Sequence, residues 1–248
     1  MKNKSQINND FYEHLHDDWY NAVDDPVALL RAEHKVKNPW VTKIIKGEKR
    51  KILDIACGGG FLANHLAEEG HQVSGVDLSP SSLKTATSFD KTNTVAYSVC
   101  DAHHLPFEDN TFDVVCVMDF LEHVENPSLI VKEASRVLKE GGHFFFHTFS
   151  RNWISWFFVI KLVEFVLPKT PKNMHLLRLF IQPKELENFC LQNNLMVKEM
   201  VGIKPQFLSR IFWISLFQRK VHQDFKFSLT SNKLISYMGY AEKNCNEI

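Results

Sequence analysis

The densest chemistry in the chain lies in Met118-Asp119-Phe120-Leu121-Glu122-His123-Val124, where two carboxylates and an imidazole fall within five residues. If a helical turn begins there, Asp119 and Glu122 share one face at i, i+3, with His123 beside them at i, i+4. Carboxylate and imidazole donors together suit a divalent cation such as Mg2+, Mn2+ or Zn2+. His123 alone suits a general base. The spacing equally allows Asp119 and Glu122 to cap the next helix while His123 packs in the core. A second set is Asp54, the run Gly58-Gly59-Gly60 and Asp77. Three consecutive glycines occur nowhere else in the chain, and glycine lets a ligand approach the main chain without a Cβ in the way. An acid at the end of the following strand meets the two hydroxyls of a ribose. The stretch can be forced into the dinucleotide fingerprint, with Ala63 in the last place. Asp54 would then face a pyrophosphate, which is unfavourable; an acid there suits a ligand carrying an ammonium group. Asp101 stands at the end of a third strand and can accept from an exocyclic amine such as adenine N6.

Strands and turns must hold these groups. Ile52, Leu53 and Ile55 make an apolar strand, the glycine turn follows, and residues 61–69 form a helix whose unpaired N–H groups face the ligand. Strands are predicted over 73–76, 94–100, 112–118 and 143–148, with helices over 80–88, behind the N-cap Ser79, and 128–139. The alternation predicts an α/β domain built on a mostly parallel sheet. Ligands of such sheets bind at the carboxyl ends of the strands. The chain divides into 1–50, helices over 11–19 and 26–45 that cover the site; 51–150, the nucleotide-type core; and 151–248, a lid or substrate segment with the final strands. Residues 1–10 are polar and predicted disordered. Lys35 and Lys37 read as solvated surface lysines. A helix over 182–193, a strand over 195–202 and an edge strand over 235–243 close the chain.

At 248 residues the chain suits one domain with additions. Its net charge of zero and pI near 7.2 argue against a nucleic-acid partner. The five cysteines show no CxxC spacing, which argues against a disulfide framework and a cysteine zinc site. The N-terminal stretch lacks the apolar core of a secretory signal. The 20 phenylalanines and 5 tryptophans cluster late. One aromatic run spans 153–167, broken by Lys161 and Glu164, and a second spans 207–217, flanked by Lys204, Arg219 and Lys220. Both are too short and too charged to cross a bilayer. They suit a membrane surface, an apolar substrate or, failing those, the core.

The blocks LDIACGGG, VSGVD and CDAHHLPFEDNTFDVV resemble the class I S-adenosylmethionine (SAM) methyltransferase core. CVMDFLEHVENP, LKEGGHFFFHTFSRN, FIQPKEL and the terminal YMGYA resemble, more specifically, the ubiquinone-biosynthesis O-methyltransferases. The likeness runs from about Asn38 to Lys243. It implies a Rossmann-like, seven-stranded, mostly parallel sheet with its last strand antiparallel and helices on both faces, carrying here an aromatic-rich lid or membrane insertion. It implies methyl transfer from SAM to a phenolic hydroxyl of a polyprenyl-substituted catechol or quinol. By position, Ala56, Gly58, Gly60, Asp77 and Met118 would contact SAM with Asp54 and Asp101, and Lys37 would stand near the SAM carboxylate where the family has arginine. The family's Glu-x-x-Glu-His metal pattern becomes Asp119, Glu122 and His123, implying Mg2+ or another dication that lowers the pKa of a bound hydroxyl. Glu122 and His123 are the catalytic candidates, with His147 and His175 weaker ones, and Ser150 stands where the family commonly carries Asn. The resemblance further implies a cytoplasmic protein, peripheral on the inner face of the cytoplasmic membrane, working beside other ubiquinone-biosynthesis proteins. The rival readings are a related SAM methylase with another lipid-like or small acceptor, and a membrane-docked SAM-binding assembly subunit.

Overall fold

The computed structural model describes residues 6–245. Eight strands, β1 (Lys51–Ile55), β2 (Gln72–Asp77), β3 (Ala96–Val99), β4 (Phe112–Met118), β5 (Leu138–Phe149), β6 (Leu195–Pro205), β7 (Phe227–Thr230) and β8 (Ser236–Lys243), form one sheet in the order β3-β2-β1-β4-β5-β8-β6-β7. The pairings from β3 to β5 are parallel, and those joining β5, β8, β6 and β7 are antiparallel. Alternate side chains feed two cores, as a pleated strand requires. Leu53, Ile55, Val115, Val117, Phe144 and Phe146 face one, and Ile52, Val114, Cys116 and Phe145 face the other.

Helices α1 (Asp18–Asn21), α2 (Val27–Ile44), α3 (Phe61–Glu68), α4 (Pro80–Ser88) and α5 (Pro127–Val137) precede or link the parallel strands. Ser79 caps α4 by accepting the Ser82 N–H, as its sequence position suggests. After β5, α6 (Trp153–Ser155), a π-helical segment (Trp156–Lys161) and α7 (Leu162–Val166) run on from one another, started by the Asn152 side chain, which accepts from the N–H groups of Ile154 and Ser155. Helices α8 (Pro183–Gln192) and α9 (Arg210–Gln218) follow.

Several expectations need correction. The sheet has eight strands rather than seven, because β7, reached through α9, pairs antiparallel with β6 at the edge. The last strand is not an edge but lies between β5 and β6, which is why Tyr237 and Ala241 are buried in one core and Met238 in the other. The 11–19 helix breaks into a 3-10 turn, Asp10–His14, and α1, with His16 left-handed between them at φ 43°. Of the stretch expected to be disordered, 1–5 lie outside the described residues, whereas the Asn8 N–H donates to the Asn173 carbonyl at 3.0 Å and Asn9 is bonded into the site. Lys37 is not a solvated lysine: it is wholly buried.

Candidate functional site

The sheet reverses direction of growth between β1 and β4, so the loops after these strands flank a crevice. On the β1 side the main chain turns through left-handed residues, Ala56 at φ 55°, Gly58 at φ 51° and Gly60 at φ 80°. Gly58 and Gly59 are glycines for a second reason. The Trp19 indole lies flat on them, and a Cβ at either position would meet it at 2.7 or 2.8 Å. Tyr20 reinforces this by donating to the Gly59 carbonyl at 2.9 Å. Asp77 fixes the turn to β2: its Oδ2 accepts the Gly58 N–H and its Oδ1 the Ser79 N–H, each at 2.9 Å. Each carboxylate oxygen keeps lone-pair capacity for a ribose hydroxyl.

A first cavity opens over this turn, lined by Asp54, Ala56, Gly58, Asp77, Met118 and Asp119 among others. Five of the residues expected to contact SAM therefore come together. Gly60 instead starts α3 as its N-cap, and Asp101 turns away, its Oδ1 taking both the main-chain N–H and the ring Nδ1 of His103 at 2.9 and 2.8 Å. Asp54 is buried; desolvation raises its carboxyl to about 8, and the negative charges of Asp77 and Asp119 add to the rise. An arriving ammonium group would supply the missing counter-charge.

The β4 loop carries the second set. Asp119 takes a left-handed backbone, φ 59°, that aims its carboxylate at α2. There the Lys37 ammonium donates to Asp119 Oδ1 and Oδ2 at 2.6 and 2.7 Å and lies 2.6 Å from Glu33 Oε2. His147 on β5 brings Nδ1 to 2.5 Å from Asp119 Oδ1. Burial alone would raise the Asp119 carboxyl, but His147 and Lys37 together hold it well below the usual carboxylate range. Lys37 does not line the first cavity; its charge is spent on Asp119 and Glu33.

Glu122 and His123 sit in a buried 3-10 turn, Leu121–His123. Glu122 Oε2 accepts from the Thr148 hydroxyl at 2.7 Å, while Oε1 has no protein partner. Burial first, then the Asp119 charge, raises this carboxyl to about 8. Asn9 grips His123 from two sides: its amide N–H donates to the His123 carbonyl at 3.2 Å, so its oxygen faces Nδ1, also at 3.2 Å. Nδ1 must then carry the proton, leaving Nε2 to accept from the Tyr12 hydroxyl at 3.4 Å. Burial lowers His123 to about 4 and His175, its ring 5.1 Å away, to about 3.

The divalent cation implied by Asp119, Glu122 and His123 fits this donor set poorly. Among the described residues, the group with ligand atoms mutually within 4.8 Å is Glu33, Asp119 and His147, without Glu122 or His123. The three expected ligands face separate partners: Asp119 turns to Lys37, Glu122 to Thr148 and His123 to Asn9. Asn9, Tyr12, Trp19 and the role of His147 escaped the sequence because their partners are distant in the chain, and Glu33 because its i,i+4 pair with Lys37 looks like a surface pair; the helical spacing over 11–19 and 26–45 gave the cover only as a whole.

A second cavity begins at Asp119, Glu122 and His123 and runs out between aliphatic and aromatic side chains of α6–α7, β6 and α9, among them Val159, Leu162, Val166, Phe207, Phe212 and Leu216. Tyr12, Leu30, Asp119 and His123 line both cavities, so these four mark their junction.

Comparison with known proteins agrees with this geometry. A family model described as a methyltransferase domain matches residues 53–146. The "Ubiquinone biosynthesis O-methyltransferase" of Hydrogenovibrio crunogenus is 36% identical over 206 residues, covering 80% of this chain and 83% of that protein. The protein of the same name from Paraburkholderia xenovorans is 36% identical, covering 77% of this chain and 85% of its own. Among solved structures, a putative methyltransferase from Bacillus halodurans superposes with a TM-score of 0.63 at 21% identity, over 85% of this chain and all of that one. Magnesium protoporphyrin IX methyltransferase from Synechocystis, solved with SAH bound, gives 0.60 at 16% identity, over 89% of this chain and 86% of its own. The last two establish the fold, the class I SAM-dependent methyltransferase fold; with the first two, the chain belongs to the ubiquinone biosynthesis O-methyltransferase family of SAM-dependent enzymes.

Proposed function

We propose that this chain methylates a phenolic hydroxyl of a polyprenyl-substituted catechol or quinol in ubiquinone biosynthesis. The observation that carries the reading is the meeting of two unlike cavities at Tyr12, Leu30, Asp119 and His123. One has the acids and glycines for SAM. The other is a mostly apolar passage suited to an isoprenoid tail, with Asp119, Glu122 and His123 at its inner end and Lys220 among the few other polar groups that line it. SAM supplies the methyl on a sulfonium; the new O–CH3 bond forms as the CH3–S bond breaks, in line. Asp77 would hold the ribose hydroxyls and Asp54 the ammonium, fixing the donor's direction. His123 Nε2 takes the phenolic proton as the oxygen attacks, the acceptor displacing the Tyr12 hydroxyl from it. Glu122, neutral below about pH 8, donates from Oε1 to the neighbouring ring oxygen. A divalent cation in this site would have to compete with the Lys37 ammonium for Asp119.

The tail keeps such a substrate in the bilayer, since each buried CH2 resists transfer to water by about 0.8 kcal/mol. No helix among the described residues is long and apolar enough to cross a membrane. The chain would dock at the surface instead. Trp153, Phe165 and Phe217, on the segments that supply the passage-lining Leu162, Val166 and Leu216, are 75%, 72% and 81% exposed. Arg210 and Lys220 lie nearby to meet anionic headgroups, whereas Lys161 and Lys169 pair with Glu164 and Asp24. The exposed aromatics and nearby basic side chains support docking at a membrane surface; the inner face of the cytoplasmic membrane, beside other enzymes of the pathway, is where a polyprenyl acceptor would be met. An apolar passage would also accept another lipid-like acceptor. Quinone intermediates separate the two: cells lacking this protein should accumulate a polyprenyl catechol or quinol short of one methyl group, cleared by the wild-type chain. An unchanged quinone profile, with a different lipid losing its methyl, would favour the other acceptor.

A further inference from the structure

The buried lysine of α2 stands where a metal would stand. Glu33, Asp119 and His147 bring ligand atoms within 4.8 Å of one another, the spacing of a cation site. The Lys37 ammonium lies among them, 2.6 Å from a Glu33 oxygen and 2.6 and 2.7 Å from both Asp119 oxygens. A dication binds carboxylate oxygen at roughly 2.0–2.6 Å. It could not take the same oxygens without expelling the ammonium, because two positive centres would then be nearly in contact. Lys37 cannot swing away into solvent: its side chain is 0% exposed, and it spans from its own helix to the loop after β4. Burying an ammonium is costly unless it is paired, and both its carboxylate partners are supplied here, one of them a single helical turn away at Glu33. Asp119, the carboxylate it holds, is at the junction of the two cavities.

We propose that Lys37 is the resident cation of this site, a positioning residue that fixes Asp119 at the junction and makes an added divalent ion unnecessary for methyl transfer. Removing its ammonium should uncover a metal site formed by Glu33, Asp119 and His147. The inference rests on the junction being the place of transfer, but part of its test does not. Mn2+ binding to the full chain can be followed by electron paramagnetic resonance without any acceptor present. Wild type should bind no Mn2+ at concentrations where Lys37→Ala binds one ion, and wild-type turnover should be unchanged by chelator. Lys37→Ala should turn over roughly 10²-fold more slowly in chelator, the scale for a displaced site group, and recover in part with Mn2+. A merely structural lysine would give no metal-dependent recovery. Wild-type enzyme that loses turnover in chelator and regains it with Mg2+ or Mn2+ overturns the proposal. So does a folded Lys37→Ala that binds no Mn2+, or one as active as wild type without metal. If Lys37→Ala does not fold, the wild-type binding and chelator arms decide alone. If the acceptor reading is wrong, no arm turns over, yet Mn2+ binding still reports on the site.

Discussion

Asp54 is placed for a ligand at a cost to the free protein. Its carboxyl is raised from an ordinary 3.8 to about 8, chiefly by desolvation. The folded protein thus holds a proton there that the unfolded chain has already lost, so stability falls as pH rises from about 3.8 to about 8. Asp54→Asn removes that titration. Denaturant unfolding of the ligand-free protein should show the advantage of Asp54→Asn over wild type growing across this window, while calorimetry shows weaker SAM binding. Parallel pH profiles for the two would contradict the burial argument. At Asp77, the loss of charge-assisted hydrogen bonds in Asp77→Ala should weaken SAM binding by about 1–3 kcal/mol, also read by calorimetry. Both acids were legible because they belong to one strand–turn–helix–strand unit. Lys37 and Asn9 were not: Glu33, one helical turn from Lys37, reads as an ordinary surface pair, and the partners that draw Lys37 and Asn9 into the interior lie 82 and 114 residues away. A lysine with only a local helical partner reads as surface, and an asparagine in a polar stretch reads as disordered.

Two elements decide access to the site. The N-terminal segment closes the first cavity by laying Trp19 on the glycine turn, where Trp19 also stacks on Tyr12 with ring centres 5.7 Å apart. Gly58→Ala would set a Cβ against the indole in a backbone of φ 51°, so it should destabilise the protein by more than about 1 kcal/mol and lower SAM affinity. Equal melting of the variant and wild type would show that the cover moves aside freely. The second element is the pair of aromatic segments around the apolar passage. The sequence marked both, but not which side chains face outward: Phe158 packs on Phe207 at 5.0 Å, whereas Trp153, Phe165 and Phe217 are exposed. Replacing those exposed three with Ser should therefore abolish flotation on anionic liposomes without unfolding the chain. Wild type that stays at the bottom at low salt would point to an oligomer interface instead.

At the scale of the molecule, the parallel half of the sheet follows from local pattern, and the antiparallel half does not. β1, β2 and β4 are consecutive apolar runs divided by turn signals, whereas β8 inserts between β5 and β6, a pairing across distant sequence that its alternation alone cannot express. That insertion completes the apolar passage, because Ile203 of β6 and Phe227 of β7 line it opposite α6–α7. The fold so assembled opposes a nucleotide-type cavity and an isoprenoid-type one across the His123 imidazole. Methyl transfer across that junction can be followed by incubating the purified chain with methyl-labelled SAM and a polyprenyl catechol, then locating the label by mass spectrometry. Label should appear on one phenolic oxygen, transfer should depend strongly on the tail, and His123→Ala should lose transfer while retaining SAM binding. No label on the ring oxygen, or equal transfer by His123→Ala, would contradict transfer at the junction.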